Sequence, residues 1–164
     1  MDTKWLNEDE LQAWVRLIAV LEILPSQLDG QLRRDAGLTN FEYYVLAMLS
    51  EAPDRTLRMT DLAAQTNATQ PRLSHVVTRL EARELVRRCS CPSDGRVTNA
   101  VLTDAGWNKL VESVPAHVAN VRASVIDALS AEQVEQLSDI AEVILRRLDP
   151  DGKLTPMYRR HDAA

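Results

Sequence analysis

Residues 57–86, LRMTDLAAQTNATQPRLSHVVTRLEARELV, are the segment that most constrains the fold. After a short extended piece, the pattern predicts two helices, one capped by Thr60 and one capped by Thr69 with Pro71 in its first turn. A polar break at residues 67 and 68 separates them. Two short helices joined by a tight turn, the second with polar residues near its start, predict a helix-turn-helix.

The second predicted helix has two chemically different faces. An apolar face at i, i+4 and i+7 spacing consists of Leu73, Val77 and Leu80. The opposite face is polar and carries Arg72, His75 and Arg79. We expect the apolar face to pack on a core and the polar face to stay free for a partner.

Two strand-like runs, LVRRCSC and VTNAVL, follow this helix and are joined by the turn residues PSDGR at 92–96. They predict a β-hairpin whose tip presents Arg96. Cys89 and Cys91 are two apart on a strand and so share a face, where a disulfide between them would be strained. Because two thiols supply only half of a structural zinc shell, we predict no metal site and a structural role for both cysteines.

The net charge of −5 argues at first against binding a polyanion such as nucleic acid. The distribution of the charges reverses that argument. Residues 55–109 contain nine Lys and Arg against five Asp and Glu, so this segment is basic and the rest of the chain is strongly acidic. Such asymmetry is typical of a basic binding module in an acidic scaffold, although a solvated surface gives the same pattern.

Longer amphipathic helices are predicted on both sides of the basic segment. Before it, Asn7 and Glu10 form a capping-box pattern for a helix that Pro25 should kink or end. After it, Thr103 and Ser130 are the predicted N-caps of two further helices. Their apolar faces exceed what a small core can cover, so we expect a second copy of the chain to cover them.

Composition and motifs argue against several other classes of protein. Apolar residues make up 45% of the chain and charged residues 26%, which is typical of a soluble globular protein. We find no uninterrupted apolar run long enough to cross a bilayer and no secretory signal, and therefore predict a cytoplasmic protein with reduced thiols. Without a phosphate-binding loop, a nucleophile motif or a catalytic metal motif, we predict no enzyme activity, no catalytic residues and no cofactor.

Three stretches, RMTDLA, TQPRLSHVVTRLEARELV and DGRVTNAVLTDAG, resemble the MarR family of bacterial transcriptional regulators, and the similarity extends over about residues 8–148. The resemblance implies a single mainly α domain, residues 1–164, with a small β-hairpin. A winged helix-turn-helix would span residues 36–102. Dimerisation helices in residues 1–35 and 103–164 would flank it.

The resemblance also implies functional residues. Asp94 would orient Arg96 by an ion pair, and Arg96 would enter the DNA minor groove. Together with the polar side chains of the helix-turn-helix, the predicted DNA-binding set is Arg58, Thr69, Gln70, Arg72, Ser74, His75, Thr78, Arg79, Asp94 and Arg96. One departure is Glu84, because relatives usually have Gly there; a left-handed backbone at a non-glycine residue costs about 1 kcal/mol.

We expect three partners: double-stranded DNA with a near-palindromic operator, a second copy of the chain, and a small aromatic or anionic effector. The protein would most simply be a repressor that releases the DNA when it binds the effector. The candidate effector-binding residues are Trp14, Arg16, Tyr43 and Tyr44. Two alternatives stay open. One is a thiol- or metal-responsive switch through Cys89 and Cys91, and the other is a winged helix that docks proteins without binding DNA.

Overall fold

The computed structural model describes residues 3–159, and its elements follow the predicted order. The helices are α1 (Glu8–Ala36), α2 (Asn40–Glu51), α3 (Met59–Gln65), α4 (Gln70–Ala82), α5 (Asp104–Ser124), α6 (Ala131–Leu148) and the single turn α7 (Thr155–Tyr158). The strands are β1 (Thr56–Arg58), β2 (Val86–Cys91) and β3 (Asp94–Leu102). The prediction of a mainly α chain with a small β-hairpin is confirmed.

The hairpin is part of a three-stranded antiparallel sheet with strand order β1-β3-β2. The short extended piece predicted before the first of the two helices is β1, in which Leu57 pairs with Ala100 of β3. Strands β2 and β3 form the hairpin itself, residues 86–102, which we call the wing. Because β1 holds the base of β3, the wing projects from a sheet that is anchored in the core.

Helix caps explain most of the element boundaries. The capping box of Asn7 and Glu10 is present at the start of α1, and Ser130 starts α6 with the same reciprocal arrangement. Thr69 accepts the backbone N–H of Arg72 and starts α4. The predicted cap at Thr60 is wrong, because α3 already begins at Met59 with Arg58 in the extended N-cap position.

Helix α1 does not end at Pro25, contrary to one of the two predicted outcomes. It continues to Ala36 and ends at Gly37, which adopts the left-handed conformation with φ 64°. Proline removes the N–H that would bond to the carbonyl of Leu21, but both residues are exposed, so water can hydrate that carbonyl. An exposed helix therefore tolerates the proline.

One hydrophobic core joins α2, α3, α4 and the sheet. Its fully buried side chains include Leu38, Val45, Leu46, Leu49, Leu62, Leu73, Val77, Leu80 and Ala100. Helix α1 packs against α5 and α2. None of the residues of α6, Ala131–Leu148, is buried. The core thus positions the helix-turn-helix and leaves the longer flanking helices largely uncovered.

Helix α1 is also long and apolar enough, by length and composition alone, to cross a membrane. That criterion is weak evidence for a span, because core helices of soluble proteins and N-terminal signal sequences meet it too. Arg16 and Glu22 interrupt the apolar stretch, so it is not an uninterrupted apolar run.

Glu84 adopts the left-handed backbone conformation that its place in the sequence suggested, with φ 58°. It follows the end of α4, where the chain turns sharply into β2, and its carbonyl accepts the hydroxyl hydrogen of Thr103. Because an L side chain is disfavoured at this φ, the turn is strained at an exposed position.

Replacing this residue with glycine should stabilise the protein. We expect Glu84→Gly to raise the free energy of unfolding by about 1 kcal/mol, because glycine adopts positive φ without the Cβ clash. Urea titration followed by circular dichroism measures the change. The matched control is Glu112→Gly in the exposed middle of α5, which should lower stability by a similar amount. Equal effects at both positions would contradict a strained turn.

Candidate nucleic-acid interface

Helix α4 separates its apolar and polar residues onto two faces, as its sequence predicted. Leu73, Val76, Val77 and Leu80 are buried in the core. The predicted binding residues of the helix lie on the solvent side, where Gln70, Arg72, Ser74, His75, Thr78 and Arg79 are all exposed. Loss of one of these buried leucines would cost about 2–5 kcal/mol, so the apolar contact firmly orients the polar face.

Two arginines of α4 are held by residues of α2. The guanidinium carbon of Arg72 lies 4.2 Å from the centroid of the Phe41 ring, a cation–π contact. Arg79 lies 3.0 Å from a carboxylate oxygen of Glu42, whose side chain is buried. Arg79 is therefore committed to an ion pair, whereas Arg72 keeps its polar edge toward solvent. The sequence pattern placed both residues on the correct face but did not identify these partners.

The wing tip presents Asp94, Gly95 and Arg96, which are all exposed. The Asp94 carboxylate accepts the backbone N–H of Arg96 at 3.0 Å. Among the described residues, the side chains of Asp94 and Arg96 do not form the predicted ion pair. Asp94 instead stabilises the turn through its bond to the backbone of Arg96. Arg58, at the start of α3, is exposed and pairs across the sheet with Asn99 of β3.

Arg88 is a part of this surface that lies outside the predicted DNA-binding set. It lies on β2 and forms an ion pair with Glu81 of α4. Its guanidinium also donates to the carbonyl of Ser74 at 2.8 Å and to the hydroxyl of Thr78 at 3.2 Å. The alternation of β2 was the available signal, because Arg88 shares the side of the buried Val86. These bonds connect the wing directly to α4.

The two cysteines are free thiols, half-buried on β2. The Cys91 sulfur lies 3.1 Å from the hydroxyl oxygen of Ser93. That hydrogen bond, with backbone N–H groups of Ser93 and Asp94, lowers the pKa of the Cys91 thiol. Within residues 3–159, no cluster of three or more His, Cys, Asp or Glu could hold a metal ion.

Replacing both cysteines with serine should leave DNA affinity nearly unchanged. Serine is of similar size and can keep a hydrogen bond at position 91, and neither thiol bonds to α4 in the structure. Competitive binding to a fluorescent duplex, with and without peroxide or zinc, measures this. A response of the wild type that the double variant Cys89→Ser, Cys91→Ser loses would contradict a structural role for the thiols.

A crevice of about 890 Å³ is lined mainly by α2 and α5, with Leu28 contributed by α1. Tyr43, Tyr44, Trp107, His117 and Met157 contribute to its lining, whereas Trp14 and Arg16 are exposed on α1 and do not line it. The rings of Tyr43 and His117 lie 4.4 Å apart between centroids. Burial lowers the pKa of His117, which favours the neutral imidazole at neutral pH.

An exposed polar helix held beside a projecting hairpin defines the winged helix-turn-helix class of proteins. Residues 36–97 match the model of the MarR family. Sco3205, a MarR family transcriptional regulator from Streptomyces coelicolor solved in complex with DNA, is 42% identical, with a TM-score of 0.86 over 91% of this chain and 93% of that one. AbsC, a regulator of the same family and organism, is 39% identical, with a TM-score of 0.84 over 90% and 99%.

A more distant relative agrees. The HTH-type transcriptional regulator MhqR of Bacillus subtilis is 27% identical over 135 residues, which are 82% of this chain and 90% of that protein. The chain therefore belongs to the MarR family of transcriptional regulators. Members of this family are regulators and not enzymes.

Proposed function

We propose that this chain is a cytoplasmic, dimeric repressor that binds a near-palindromic operator and releases it when a small aromatic molecule enters the crevice. The observation that carries the proposal is the common surface of α4 and the wing, on which Arg72, His75 and Arg96 are all exposed. The regulator Sco3205, which was solved with DNA, supports this use of the fold.

DNA binding by this surface follows from its dimensions and charge. An α-helix fits the major groove of B-DNA, where Gln70 and Arg72 of the α4 N-terminal turn can reach base edges or phosphates. A single arginine on a hairpin tip suits the narrow minor groove, whose negative potential attracts a cation. One chain would therefore contact two adjacent grooves of the same duplex.

Removing the wing arginine tests this directly. We expect Arg96→Ala to weaken operator binding by roughly 1–3 kcal/mol per subunit and to reduce the salt dependence, because one charge contact is lost. Asp94→Ala should do less, since the Asp94 carboxylate bonds only to the backbone N–H of Arg96. The measurement is a titration of a labelled operator, selected from a random duplex library, at several salt concentrations.

A matched control separates the wing from the helix. Arg72→Ala should change which sequences are preferred as well as the affinity, because α4 lies in the groove that carries the base code. If Arg96→Ala binds with unchanged affinity and salt slope, the wing does not touch DNA. If no duplex shifts with wild-type protein at low salt, the protein-docking alternative replaces the proposal.

Dimerisation is supported by the apolar surface that one chain leaves exposed. Along α1, α5 and α6 the exposed apolar side chains include Leu11, Trp14, Val15, Leu21, Ile23, Val114, Val118, Ile140, Val143 and Leu148. Patches of this extent on soluble chains are typical of protein–protein contacts. A two-fold pair would cover them and present two copies of α4 to successive turns of a duplex.

In analytical ultracentrifugation the wild-type protein should have a mass near 37 kDa, about twice the 18.4 kDa of one chain. Truncation after Leu129 should expose the covered surface and cause aggregation or a monomer.

A second test leaves α6 in place and uses two single substitutions on its surface. Ile140→Arg should weaken the dimer, because this side chain is 59% exposed in one chain and apolar. Glu135→Arg, five positions earlier and therefore about 140° away around α6, should not. A monomeric wild type at micromolar concentration would overturn the dimer.

The crevice favours the aromatic class of effector over the anionic one. Its described lining combines Tyr43, Tyr44, Trp107 and neutral His117 with aliphatic side chains, and it includes Glu51 but no lysine or arginine. A flat apolar molecule would gain ring contacts there, whereas the Arg55 guanidinium, which lies 4.3 Å from the centroid of the Trp107 ring, is already paired with Asp104. Trp5 and Trp14 also fluoresce, so the test uses the variant Trp5→Phe, Trp14→Phe, in which uncharged aromatic compounds should quench Trp107 at lower concentration than carboxylated ones. Stronger quenching by the carboxylated compounds would contradict this choice.

A further inference from the structure

Arg88 is bonded to one side of α4 along about two helical turns. Ser74, Thr78 and Glu81 stand at i, i+4 and i+7 and form a row on that side. The guanidinium donates to the Ser74 carbonyl at 2.8 Å, to the Ser74 hydroxyl at 3.1 Å and to the Thr78 hydroxyl at 3.2 Å, and it pairs with the Glu81 carboxylate. The backbone N–H of Arg88 donates to the same carboxylate at 2.8 Å.

These contacts leave little of the guanidinium for a phosphate. The side chain of Arg88 is 25% exposed and that of Glu81 is 30% exposed, so the ion pair is partly sheltered from water. An arginine whose donors already bond to a carboxylate, a carbonyl and two hydroxyls would have to give up those bonds to bind DNA. The hydroxyls of Ser74 and Thr78, which were predicted to contact DNA, already accept hydrogen bonds from the Arg88 guanidinium.

The bonds between Arg88 and α4 depend on the angle between the wing and α4. Only residues 83–85 connect α4 to β2, and Arg88 is the third residue of the strand. The wing extends roughly 20 Å from its base, so a tilt of about 10° would displace the tip by roughly 3 Å, as far as a hydrogen bond is long. Bonds at the base therefore control where Arg96 lies relative to α4.

We propose that Arg88 is a positioning residue that, through Glu81, Ser74 and Thr78, fixes the wing relative to α4 so that Arg96 and the recognition helix enter adjacent grooves together. The inference rests on the proposed DNA binding and adds a residue that acts without touching DNA. In this arrangement Glu81 favours operator binding although its charge repels phosphates. The sign of that effect separates positioning from a direct phosphate contact.

The central experiment is a double-variant cycle on operator affinity with Arg88→Gln and Arg96→Ala. Arg88→Gln alone should weaken operator binding about tenfold, and much less for a random duplex, because the aligned contact of Arg96 is lost. In the Arg88→Gln background, Arg96→Ala should then cost at least about fivefold less than in the wild type. Effects that multiply independently would mean that Arg88 contacts DNA itself or not at all, and would overturn the inference.

The matched control is Arg87→Gln, the neighbouring exposed arginine on the other face of β2. It removes the same charge from the same strand without touching the row on α4, so its effect should multiply with that of Arg96→Ala. A cycle for Arg87 that is as strongly coupled as that for Arg88 would show that charge near the wing, and not the network, produces the coupling, and would overturn the inference.

Glu81→Gln tests whether Glu81 favours or opposes operator binding, because glutamine has nearly the size of glutamate but no charge. Positioning predicts weaker operator binding, by about threefold to tenfold, together with unchanged or tighter binding to a random duplex. If Arg88 instead binds a phosphate, loss of the neighbouring negative charge should tighten binding to both duplexes, which would contradict the inference. Circular dichroism at the assay temperature confirms that each variant is folded. Wild-type protein that binds no duplex would overturn the proposed function and this inference with it.

Discussion

The packing of one apolar face of α4 on the domain core is the contact on which the remaining surface depends. Leu73, Val77 and Leu80 are fully buried, so the helix cannot rotate without opening the core. Gln70, Arg72, His75 and Arg79 are thereby turned outward, and a net acidic chain presents a locally basic surface. The packing of the helix, and not the composition alone, separates these polar side chains from the core.

Two further sets of contacts position the cationic side chains of that surface. Phe41 and Glu42 of α2 hold Arg72 and Arg79 of α4, and the Arg88 network ties α4 to the wing. The positions of the cationic groups are thus set partly by residues that do not face the partner. The helices that flank the winged helix-turn-helix, α1, α5 and α6, leave apolar side chains exposed, and this exposure supports the proposed pairing of two chains.

The sequence predicted several helix starts and the hairpin turn well, because these features depend on hydrogen bonds between neighbouring residues. The capping box at Asn7, the cap at Thr69 and the turn before Arg96 each depend on a few neighbouring residues. The continuation of α1 through Pro25 was not predictable in the same way, since tolerance of the proline depends on solvent exposure. The role of Arg88 was also missed, because its partners lie 7 to 14 residues away across a sheet–helix contact. Trp14 and Arg16 do not line the crevice between α2 and α5, to which α1 contributes Leu28 instead.

The most direct test of the central claim is a hydroxyl-radical footprint of the wild-type protein on an operator selected from random duplexes. A two-fold pair of winged helices should protect two symmetric half-sites whose centres are one helical turn, about 10–11 base pairs, or a multiple of it apart. Minor-groove protection from the wing should flank each recognition helix. A single asymmetric patch, or protection no greater than on an unrelated duplex, would contradict the account.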